Sequence, residues 1–390
     1  MNTITLKKDK EEALKRRHPW IFSGAIAPME TEPQEGDLVQ VQSFQKKILG
    51  VGHYQKSSIA VRMLSFESAE INQEFWNNKI SAAFNYRKKT GIIHSTSTNC
   101  YRLVFGESDG LPGLILDVYH DAVVFQAHSV GMHRDRLKIV AALQHVFGGG
   151  LKTVYDKSKE SLPGRYAESL QNGFLLGEEE GNVIIENGNS FYVNWVLGQK
   201  TGFFLDQREN RALLANYAKD KKILNTFCYT GGFSVYAGKS GARMVHSVDS
   251  SKRAIELTQK NMELNELKDH LVYCEDVFDF LKSNPLDYDI VILDPPAFAK
   301  HRDAKHKAVI GYKNLNALTL KKMNPGSLLF TFSCTQVVDK QLFFNTVAAA
   351  AIESGREVRI LHYLHQPADH PINPLFPESE YLKGLVLYVD

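Results

Sequence analysis

Residues 222–241 read KILNTFCYTGGFSVYAGKSG, and this stretch decides the fold. It consists of an apolar strand, a turn that contains Thr230, Gly231 and Gly232, and a helical segment. The same succession recurs further along the chain, in MVHSVD/SSKRAIELTQKNMELN, LVYCED/VFDFL, DIVILDPP and SLLFTFSC. Such alternation predicts an α/β fold, in which crossover helices join the strands of a parallel sheet.

Two further apolar segments, VRILHYL and KGLVLYVD, flank the proline-rich loop QPADHPINPLFPE. They predict a terminal pair of strands, one of them antiparallel, that closes the edge of the sheet. We assign residues 189–390 to this α/β domain.

Two zones precede the α/β domain. Residues 1–68 contain three stretches of strand length, LVQVQSF, KILGVGHY and SIAVRMLSF, and predict a β-rich domain. Residues 69–188 predict an α+β central domain. Within it, residues 132–147 predict an amphipathic helix whose apolar stripe comprises Leu137, Val140, Ala141, Leu143 and Val146. The pair Asn187-Gly188, between VIIE and NSFYVNW, predicts a hairpin with a type I′ turn.

Carboxylates follow the strands of the α/β domain. Asp249, Asp276 and Asp294 end successive strands after the glycine turn. Because the carboxyl ends of parallel strands share one edge, where open α/β sheets bind ligands, we expect these groups to lie close together. Each feature alone has a common structural explanation, such as a loop, a helix N-cap or a rigid Asp-Pro-Pro turn. The ordered set predicts a nucleoside-cofactor site, in which Asp249 has the spacing of a ribose-binding carboxylate.

The four cysteines are too scattered for a disulfide framework and lack the spacing of a zinc site. We therefore expect free thiols and no metal. Cys334 follows the apolar strand SLLFTFS, so it belongs at the same sheet edge, where a thiol suits a nucleophile. Cys228 lies inside the glycine turn. Cys100 and Cys274 are interpreted as inert buried side chains.

Composition and charge narrow the class of protein. Of the 390 residues, 43% are hydrophobic and 23% are charged, which indicates a globular protein and excludes disorder. The sequence contains no apolar run of membrane-spanning length and no signal-peptide pattern, so we expect a cytoplasmic protein without membrane contact.

Because 46 basic and 44 acidic residues leave a net charge of +2, RNA binding would need local positive clusters. Two candidate clusters are Lys15, Arg16 and Arg17 with Trp20, and Lys300, Arg302, Lys305 and Lys307, for which we expect a loop over the site.

These segments together resemble the bacterial large-subunit ribosomal RNA methyltransferase I family, cytosine-5 methyltransferases that use S-adenosylmethionine. The resemblance in the α/β domain rests on NTFCYTGGF, VDSS, DVFDFL, LDPPAF and TFSCT. Upstream, RRHPWIFSGAI resembles the family's PUA-like RNA-binding domain, GESDGLPGLILD its central-domain signature, and GQKTGFFLDQREN the segment before its methyltransferase domain. The resemblance covers essentially the whole chain. It implies a Rossmann-like methyltransferase domain, S-adenosylmethionine as cofactor and ribosomal RNA as partner.

The resemblance also implies roles for individual residues. Cys334 would be the nucleophile, and Asp294 would lie between the cofactor and the target base. Asp249, with Ser250 beside it, would hold the ribose hydroxyls. Further cofactor contacts would come from Phe227, Tyr229, Thr230 and Gly231 on the methionine side, from Asp276, Val277 and Phe278 around adenine, and from Arg208 in FLDQR.

Two positions depart from the wider group of RNA cytosine-5 methyltransferases. That group has a second cysteine after Asp-Pro, whereas Pro296 and Ala297 stand here, so product release through a second thiol does not apply. The usual Ser-Cys-Ser is Ser-Cys-Thr around Cys334. The chemistry still needs one thiolate, because C5 of cytosine is a poor nucleophile until a nucleophile adds at C6. The target base must also leave its stack, which favours an opened RNA segment as substrate.

Other functions stay open on the sequence. The Asp294-Pro-Pro segment also resembles the motif of amino-group methyltransferases, which suggests an RNA guanine N-methyltransferase that needs no cysteine. An RNA-binding assembly factor with an inactive cofactor pocket is a third reading. An oxidoreductase is disfavoured, since the dinucleotide-binding glycine pattern is missing. A homodimer is compatible with the sequence, which does not determine the oligomeric state.

Overall fold

The computed structural model describes residues 1–93, 95–299 and 302–390, with the backbone alone at Arg302. The chain forms two compact units. The amino-terminal unit comprises Met1–Ile184, Val193–Leu205 and Ala368–Ser379. The carboxyl-terminal unit comprises Ile185–Tyr192, Asp206–Pro367 and Glu380–Asp390.

A five-stranded sheet begins the amino-terminal unit. Its elements are β1 (Asn2–Thr5), α1 (Glu12–Lys15), β2 (Trp20–Phe22), β3 (Leu38–Gln42), β4 (Ile48–Tyr54) and β5 (Ile59–Ser65). The spatial order of the strands is β1-β3-β4-β5-β2. Strands β3, β4 and β5 confirm the three predicted strands. Strands β1 and β2 were not predicted, because three or four residues are too few to show a period of two.

A second five-stranded sheet follows in this unit, with four α-helices among the residues that the structure describes. Its elements are α2 (Gln73–Lys89), β6 (Cys100–Phe105), β7 (Leu114–Tyr119), β8 (Ala122–Ala127), α3 (Val130–Arg134), α4 (Arg136–Phe147), β9 (Thr153–Asp156), α5 (Gly164–Ala167) and β10 (Gly173–Leu176). The spatial order is β10-β9-β8-β7-β6. Helix α2 begins where the Asn72 side chain accepts the Phe75 N–H at 3.0 Å, and it buries Trp76 and Ile80 in the core.

The predicted helix over residues 132–147 is wrong in two respects. The segment forms two helices, α3 and α4, which meet at Asp135. Helix α4 buries Ile139 and Ala142, whereas Leu137 and Ala141 of the predicted stripe are exposed. Apolar residues occupy two neighbouring faces of α4, so the sequence period alone does not show which face packs into the core.

The predicted hairpin is confirmed. Strands β11 (Gly181–Glu186) and β12 (Asn189–Asn194) form a two-stranded sheet. The two turn residues have positive φ angles, 48° at Asn187 and 78° at Gly188. A type I′ turn requires positive φ at both central positions, which asparagine and glycine tolerate.

A seven-stranded sheet organises the carboxyl-terminal unit. Its elements are α6 (Arg208–Ala215), β13 (Lys222–Thr226), α7 (Gly232–Lys239), β14 (Met244–Asp249), α8 (Lys252–Leu264), β15 (His270–Cys274), α9 (Val277–Ser283), β16 (Ile290–Leu293), α10 (Lys305–Lys322), β17 (Ser327–Ser333), α11 (Lys340–Ser354), β18 (Val358–His365) and β19 (Lys383–Val389). The spatial order is β15-β14-β13-β16-β17-β19-β18. The first five strands are mutually parallel, and β19 is antiparallel to both of its neighbours. The predicted α/β fold and the terminal strand pair are both confirmed.

Helices cover both faces of this sheet. Leu224 of β13 packs in a core with residues of α9, α10 and α11, whereas the adjacent Ile223 packs with residues of α6 and α7. Successive side chains of a strand point to opposite faces, so both faces of β13 are apolar. The five parallel strands therefore direct their carboxyl ends to one edge, which carries the glycine turn, the carboxylates and Cys334.

Among the described residues, no helix is both long and apolar enough to cross a bilayer. The same residues contain no group of three or more His, Cys, Asp or Glu side chains placed to hold a metal ion.

Candidate active site

The turn between β13 and α7 has an unusual backbone. Phe227, Tyr229 and Gly231 all have left-handed conformations, with φ angles of 54°, 47° and 74°. Two non-glycine residues with such angles indicate strain, which proteins retain mainly at functional sites. A Cβ atom on Gly231 would lie 2.8 Å from Cγ2 of Thr258, so this position requires glycine for space as well as for conformation.

Helix α8 holds the turn in place. The Thr258 hydroxyl donates to the carbonyl oxygen of Tyr229 at 2.9 Å, and the Asn261 amide donates to that of Thr230 at 2.8 Å. Both side chains are fully buried. Cys228 is also buried, 3.6 Å from the Thr258 hydroxyl, and burial raises its thiol pKa to about 12. These side chains fix the carbonyl groups and leave the N-terminus of α7 as a rigid cradle.

Asp249 lies directly beside this turn. One carboxylate oxygen accepts the Tyr229 N–H at 3.0 Å, and the other accepts the Ser251 N–H at 2.9 Å. Asp249 is half-buried, and Ser250 next to it is exposed. Each carboxylate oxygen keeps further lone pairs for hydroxyl donors. The structure thus places the predicted ribose-binding carboxylate against the glycine turn.

Asp276 follows β15 and caps helix α9. Its carboxylate accepts the Phe278 N–H at 2.9 Å and the Asp279 N–H at 3.2 Å. The carboxylate of Asp276 is thus the N-cap that the sequence offered as an alternative. Val277 is buried in the core and Phe278 is half-buried. Cys274, interpreted from the sequence as buried, is instead exposed on edge strand β15, whereas Cys100 is fully buried.

Asp294 follows β16 and has a strongly perturbed acidity. Burial, together with the negative charge of Asp206, raises the pKa of Asp294 to about 7. A hydrogen bond from the Gln207 side chain opposes this shift. The Gln207 amide oxygen in turn accepts the Asn210 amide at 2.6 Å. Near neutral pH, Asp294 is therefore divided between its acid form and its carboxylate.

Cys334 comes one residue after β17. It is half-buried, and burial raises its thiol pKa to about 12. The negative charges of Asp294 and Asp206 raise this pKa further, which shows that the thiol and both carboxylates lie within electrostatic range. The resting site thus holds a protonated thiol beside a carboxyl group that titrates near neutrality.

Arg208, predicted as a cofactor contact, lies in a buried ionic network. Its Nε is 3.5 Å from a carboxylate oxygen of Glu186. Arg211 binds the same carboxylate through two nitrogens, at 2.9 and 2.8 Å, and the Tyr236 hydroxyl donates to it at 3.0 Å. Glu186 and both arginines are buried. The network connects the hairpin turn region to α6 and α7, directly behind the glycine turn.

Sequence reasoning missed several polar residues of the site, among them Asp206, Gln207 and Tyr381. Asp206 and Gln207 lie in the FLDQR segment that pointed to Arg208, so their neighbourhood was a usable signal. The Asp206 carboxylate accepts the Tyr381 hydroxyl at 2.6 Å. Tyr381 precedes β19 and carries no signal in the sequence, because its position depends on how the last strands pair.

The predicted basic clusters are distributed between the two units. Lys15, Arg16 and Arg17 are exposed in the amino-terminal unit, with Lys15 paired to Glu12 at 2.6 Å. Trp20 is half-buried there, where its indole N–H donates to Glu107 at 2.8 Å and its ring packs 4.7 Å from that of Phe376. Trp20 is therefore part of the internal packing of the unit.

The second basic cluster is described only in part. Lys300 and the side chain of Arg302 lie outside the described residues. Lys305 and Lys307 are exposed in the carboxyl-terminal unit, on the first turn of α10. The predicted loop is therefore wrong from Lys305 onward, where the chain is helical. The helix is stable from Lys305 onward because its buried residues, such as Ala308 and Tyr312, pack in the core.

Three features define the class of S-adenosylmethionine-dependent methyltransferases. They are the order of the sheet, in which only β19, its seventh strand along the chain, is antiparallel to the others, the glycine turn, and Asp249 beside that turn. A family model described as S-adenosylmethionine-dependent methyltransferase matches residues 157–387, and a model of a PUA-like domain matches residues 4–66. "Ribosomal RNA large subunit methyltransferase I" of Shewanella denitrificans is 40% identical to this chain, with 99% of each chain covered. The protein of the same name from Tolumonas auensis is 39% identical, covering 99% of this chain and 98% of its own. The chain belongs to the ribosomal RNA large subunit methyltransferase I family.

Solved structures agree with this assignment. A protein described as an S-adenosylmethionine-dependent methyltransferase from Streptococcus mutans has a TM-score of 0.83 and 26% identity, covering 99% of this chain and all of its own. A second methyltransferase, solved as a complex with SAH, has a TM-score of 0.84 and 27% identity over the same shares. The predicted fold class, family and cofactor are confirmed. The glycine cradle and the ribose-type carboxylate of this chain fit S-adenosylmethionine.

Proposed function

We propose that this protein methylates C5 of a cytosine in large-subunit ribosomal RNA, through a covalent adduct with Cys334. The observation that carries the proposal is that Cys334 and Asp294 lie within electrostatic range of each other, each directly after one of two adjacent parallel strands, at the edge that bears the cofactor turn. The name of the relatives, ribosomal RNA large subunit methyltransferase I, supports the RNA substrate.

The cofactor supplies an electrophilic methyl group on a sulfonium sulfur. The thiolate of Cys334 adds to C6 of cytosine, which breaks the C5–C6 double bond and places electron density on C5. C5 then bonds to the methyl group, and the electron pair of the broken methyl–sulfur bond remains on the sulfur. Loss of the C5 proton to a base restores the double bond as the Cys334 thiolate leaves. Every bond formed by the thiol is thus broken again, and the protein is regenerated.

Asp294 is proposed to stabilise the charge that develops in the ring. In its acid form it donates a hydrogen bond to the ring nitrogen or exocyclic group of cytosine that gains electron density. A pKa near 7 makes that acid form abundant at neutral pH. Gln207, itself held by Asn210, orients the carboxyl group.

The cofactor is proposed to lie along the turn after β13. Its methionine part would contact Phe227, Tyr229, Thr230 and Gly231, and its ribose would bind Asp249 with Ser250 alongside. Asp276, Val277 and Phe278 would flank the adenine, and Asp294 would face the methyl group. Arg208 is proposed to act here through the Glu186 network, since its Nε lies 3.5 Å from the buried carboxylate of Glu186.

RNA contacts are proposed for the exposed cations. Lys305 and Lys307 on α10, with Lys300 and Arg302 before them, would contact phosphates near the target base. Lys15, Arg16 and Arg17 would do so from the PUA-like region, residues 1–68, with Trp20 as a rigid support. In this proposal the central domain spans residues 69–188 and the methyltransferase domain spans residues 189–390.

The deciding experiment is methyl transfer from labelled S-adenosylmethionine to ribosomal RNA by Cys334→Ala. We expect activity to be lost while cofactor binding, measured by calorimetry, is retained. Cys274→Ala is the matched control, because that thiol is exposed on an edge strand and plays no part in the proposal. Full activity of Cys334→Ala, or a product nucleoside other than 5-methylcytidine, would contradict the mechanism and favour a guanine N-methyltransferase. Absence of cofactor binding by the unmodified protein would favour an RNA-binding assembly factor.

A further inference from the structure

A buried lysine lies behind the proposed nucleophile. Lys383, the first residue of β19, is only 5% exposed. In the antiparallel pairing of β17 with β19 it stands opposite Ser333, the residue immediately before Cys334. A buried ammonium group is costly unless its protons are bound, so its partners indicate what it is for.

The partners of Lys383 are the backbone of the segment that contains Cys334. Its Nζ donates to the carbonyl oxygen of Thr335 at 2.5 Å and to that of Val338 at 2.6 Å. The Thr335 hydroxyl donates at 2.6 Å to the carbonyl oxygen of Ala299, in the segment that follows Asp294. The turn formed by residues 334–338 is thus hydrogen-bonded both to β19 and to the segment that follows β16.

The charge of Lys383 opposes an otherwise acidic surrounding. The charged and titratable groups that act on Cys334 are Asp294, Asp206, Lys383 and, from α10, Tyr312. Asp294 and Asp206 raise the pKa of the thiol, and Lys383 is the cation that lowers it. The other charged groups that act on Lys383 are Glu380 and Asp339. Without the lysine, a thiolate at Cys334 would face two carboxylates and no nearby cation among these groups.

We propose that Lys383 is a positioning residue for the nucleophile: its ammonium group holds the turn 334–338 and stabilises the thiolate form of Cys334. The inference rests on the proposed function, in which that thiolate attacks the base. Lysine suits this place because three N–H donors can bind two carbonyls and still present a positive charge.

Burial also lowers the pKa of Lys383 to about 8, so its charge is lost within an accessible pH range. Below about pH 8 the charged Lys383 side chain stabilises the Cys334 thiolate. Above about pH 8 Lys383 is a neutral amine and no longer stabilises it. The two groups then titrate as a coupled pair. The rate of thiol alkylation should therefore rise with pH, rise less steeply near pH 7 as Asp294 ionises, flatten for about one pH unit above pH 8 as Lys383 loses its charge, and rise again.

The test is the pH profile of iodoacetamide alkylation at Cys334, followed by peptide mass spectrometry. We expect the wild-type protein to show the inflection near pH 8. Lys383→Met should lose it and react about tenfold more slowly below that pH. Lys383→Arg keeps a charge that does not titrate, so it should lack the inflection near pH 8, keep the change of slope near pH 7 that Asp294 causes, and still react faster than Lys383→Met at pH 9 or below.

Lys322→Met is the matched control. Lys322 also binds backbone carbonyls, those of Leu281, Lys282 and Asn284 at 2.7 to 2.8 Å, but it does not act on the thiol. This variant should lose stability and keep the wild-type profile. A wild-type profile without the inflection would overturn the proposal even if the Lys383 variants fail to fold.

The alkylation test needs neither RNA nor cofactor, so its outcome is separate from that of the methylation assay. If Cys334→Ala still methylates RNA while the inflection is present, the proposed function fails and the effect of Lys383 on the thiol stands. In methylation assays Lys383→Met should lower kcat about tenfold and leave the KM for RNA unchanged, since a positioning residue acts on the attacking group.

Discussion

Gly231→Ala should destabilise the protein by about 2–3 kcal/mol. A left-handed backbone, here with φ of 74°, costs an L-residue about 1–2 kcal/mol. The new Cβ would also lie 2.8 Å from Cγ2 of Thr258 and 3.2 Å from its Cβ. Relieving so close a contact in a packed region adds about 1 kcal/mol.

Gly355→Ala separates these two costs. Gly355 has a similar φ of 68°, but a Cβ placed there has no atom within 4 Å. Urea unfolding of both variants should give a loss of about 1 kcal/mol for Gly355→Ala and clearly more for Gly231→Ala. Thr258→Ser removes Cγ2 and keeps the hydroxyl that donates to Tyr229, so it should recover about 1 kcal/mol in the double variant.

Cofactor binding gives a second measure of the same change. A turn displaced by the new Cβ should bind S-adenosylmethionine about tenfold more weakly, a change that calorimetry can measure. Gly355→Ala should bind the cofactor normally. Equal losses of stability in the two glycine variants, with no rescue by Thr258→Ser, would refute the idea that close packing against α8 requires glycine at position 231.

Two more predictions concern the half-buried carboxyl group of Asp294 and the buried carboxylate of Glu186. The acid form of Asp294 declines above its pKa of about 7, while the thiolate fraction of Cys334 rises up to a pKa of about 12. Their product predicts a single-turnover methylation rate that rises about tenfold per pH unit up to about pH 7 and is level from there to about pH 8, where Lys383 begins to lose its charge. Asp294→Asn should be slower and show no break near pH 7; a break retained in that variant would assign it to another group. Glu186→Ala leaves Arg211 buried without its carboxylate partner and should cost about 3 kcal/mol in urea unfolding. Glu209→Ala, an exposed position on the same helix as Arg211, should cost little, and equal losses would show that the network is not stabilising.

Most of the fold could be predicted from local patterns. The alternation of strands and helices after residue 222 predicted the parallel sheet, and Asn187-Gly188 predicted a turn with positive φ at both positions. Failures occurred where local pattern is ambiguous. Leu137 and Ile139 are both apolar residues of one short helix, and only the packing of that helix into the core determines that Ile139 is buried.

The same distinction between local pattern and tertiary packing applies to the residues of the candidate site. The positions of Asp249, Asp294 and Cys334 were predictable because each follows a parallel strand, and such strands end at one edge of the sheet. Tyr381 and Lys383 were not predictable, since they reach the site only through the pairing of β19 between β17 and β18. The exposure of Cys274 likewise follows from the place of β15 at the sheet edge.

By itself, the sequence determined which residues end each strand, because hydrophobic period, glycine and proline act within a few neighbouring residues. It thereby determined that a glycine turn, three carboxylates and a thiol would meet at one edge. Only the tertiary structure decided the electrostatic character of that edge. The pKa of Asp294 depends on burial and on Asp206, and that of Cys334 on two carboxylates and Lys383, groups that are distant in sequence. Electrostatic interactions depend on distance in space, and the folded chain sets those distances.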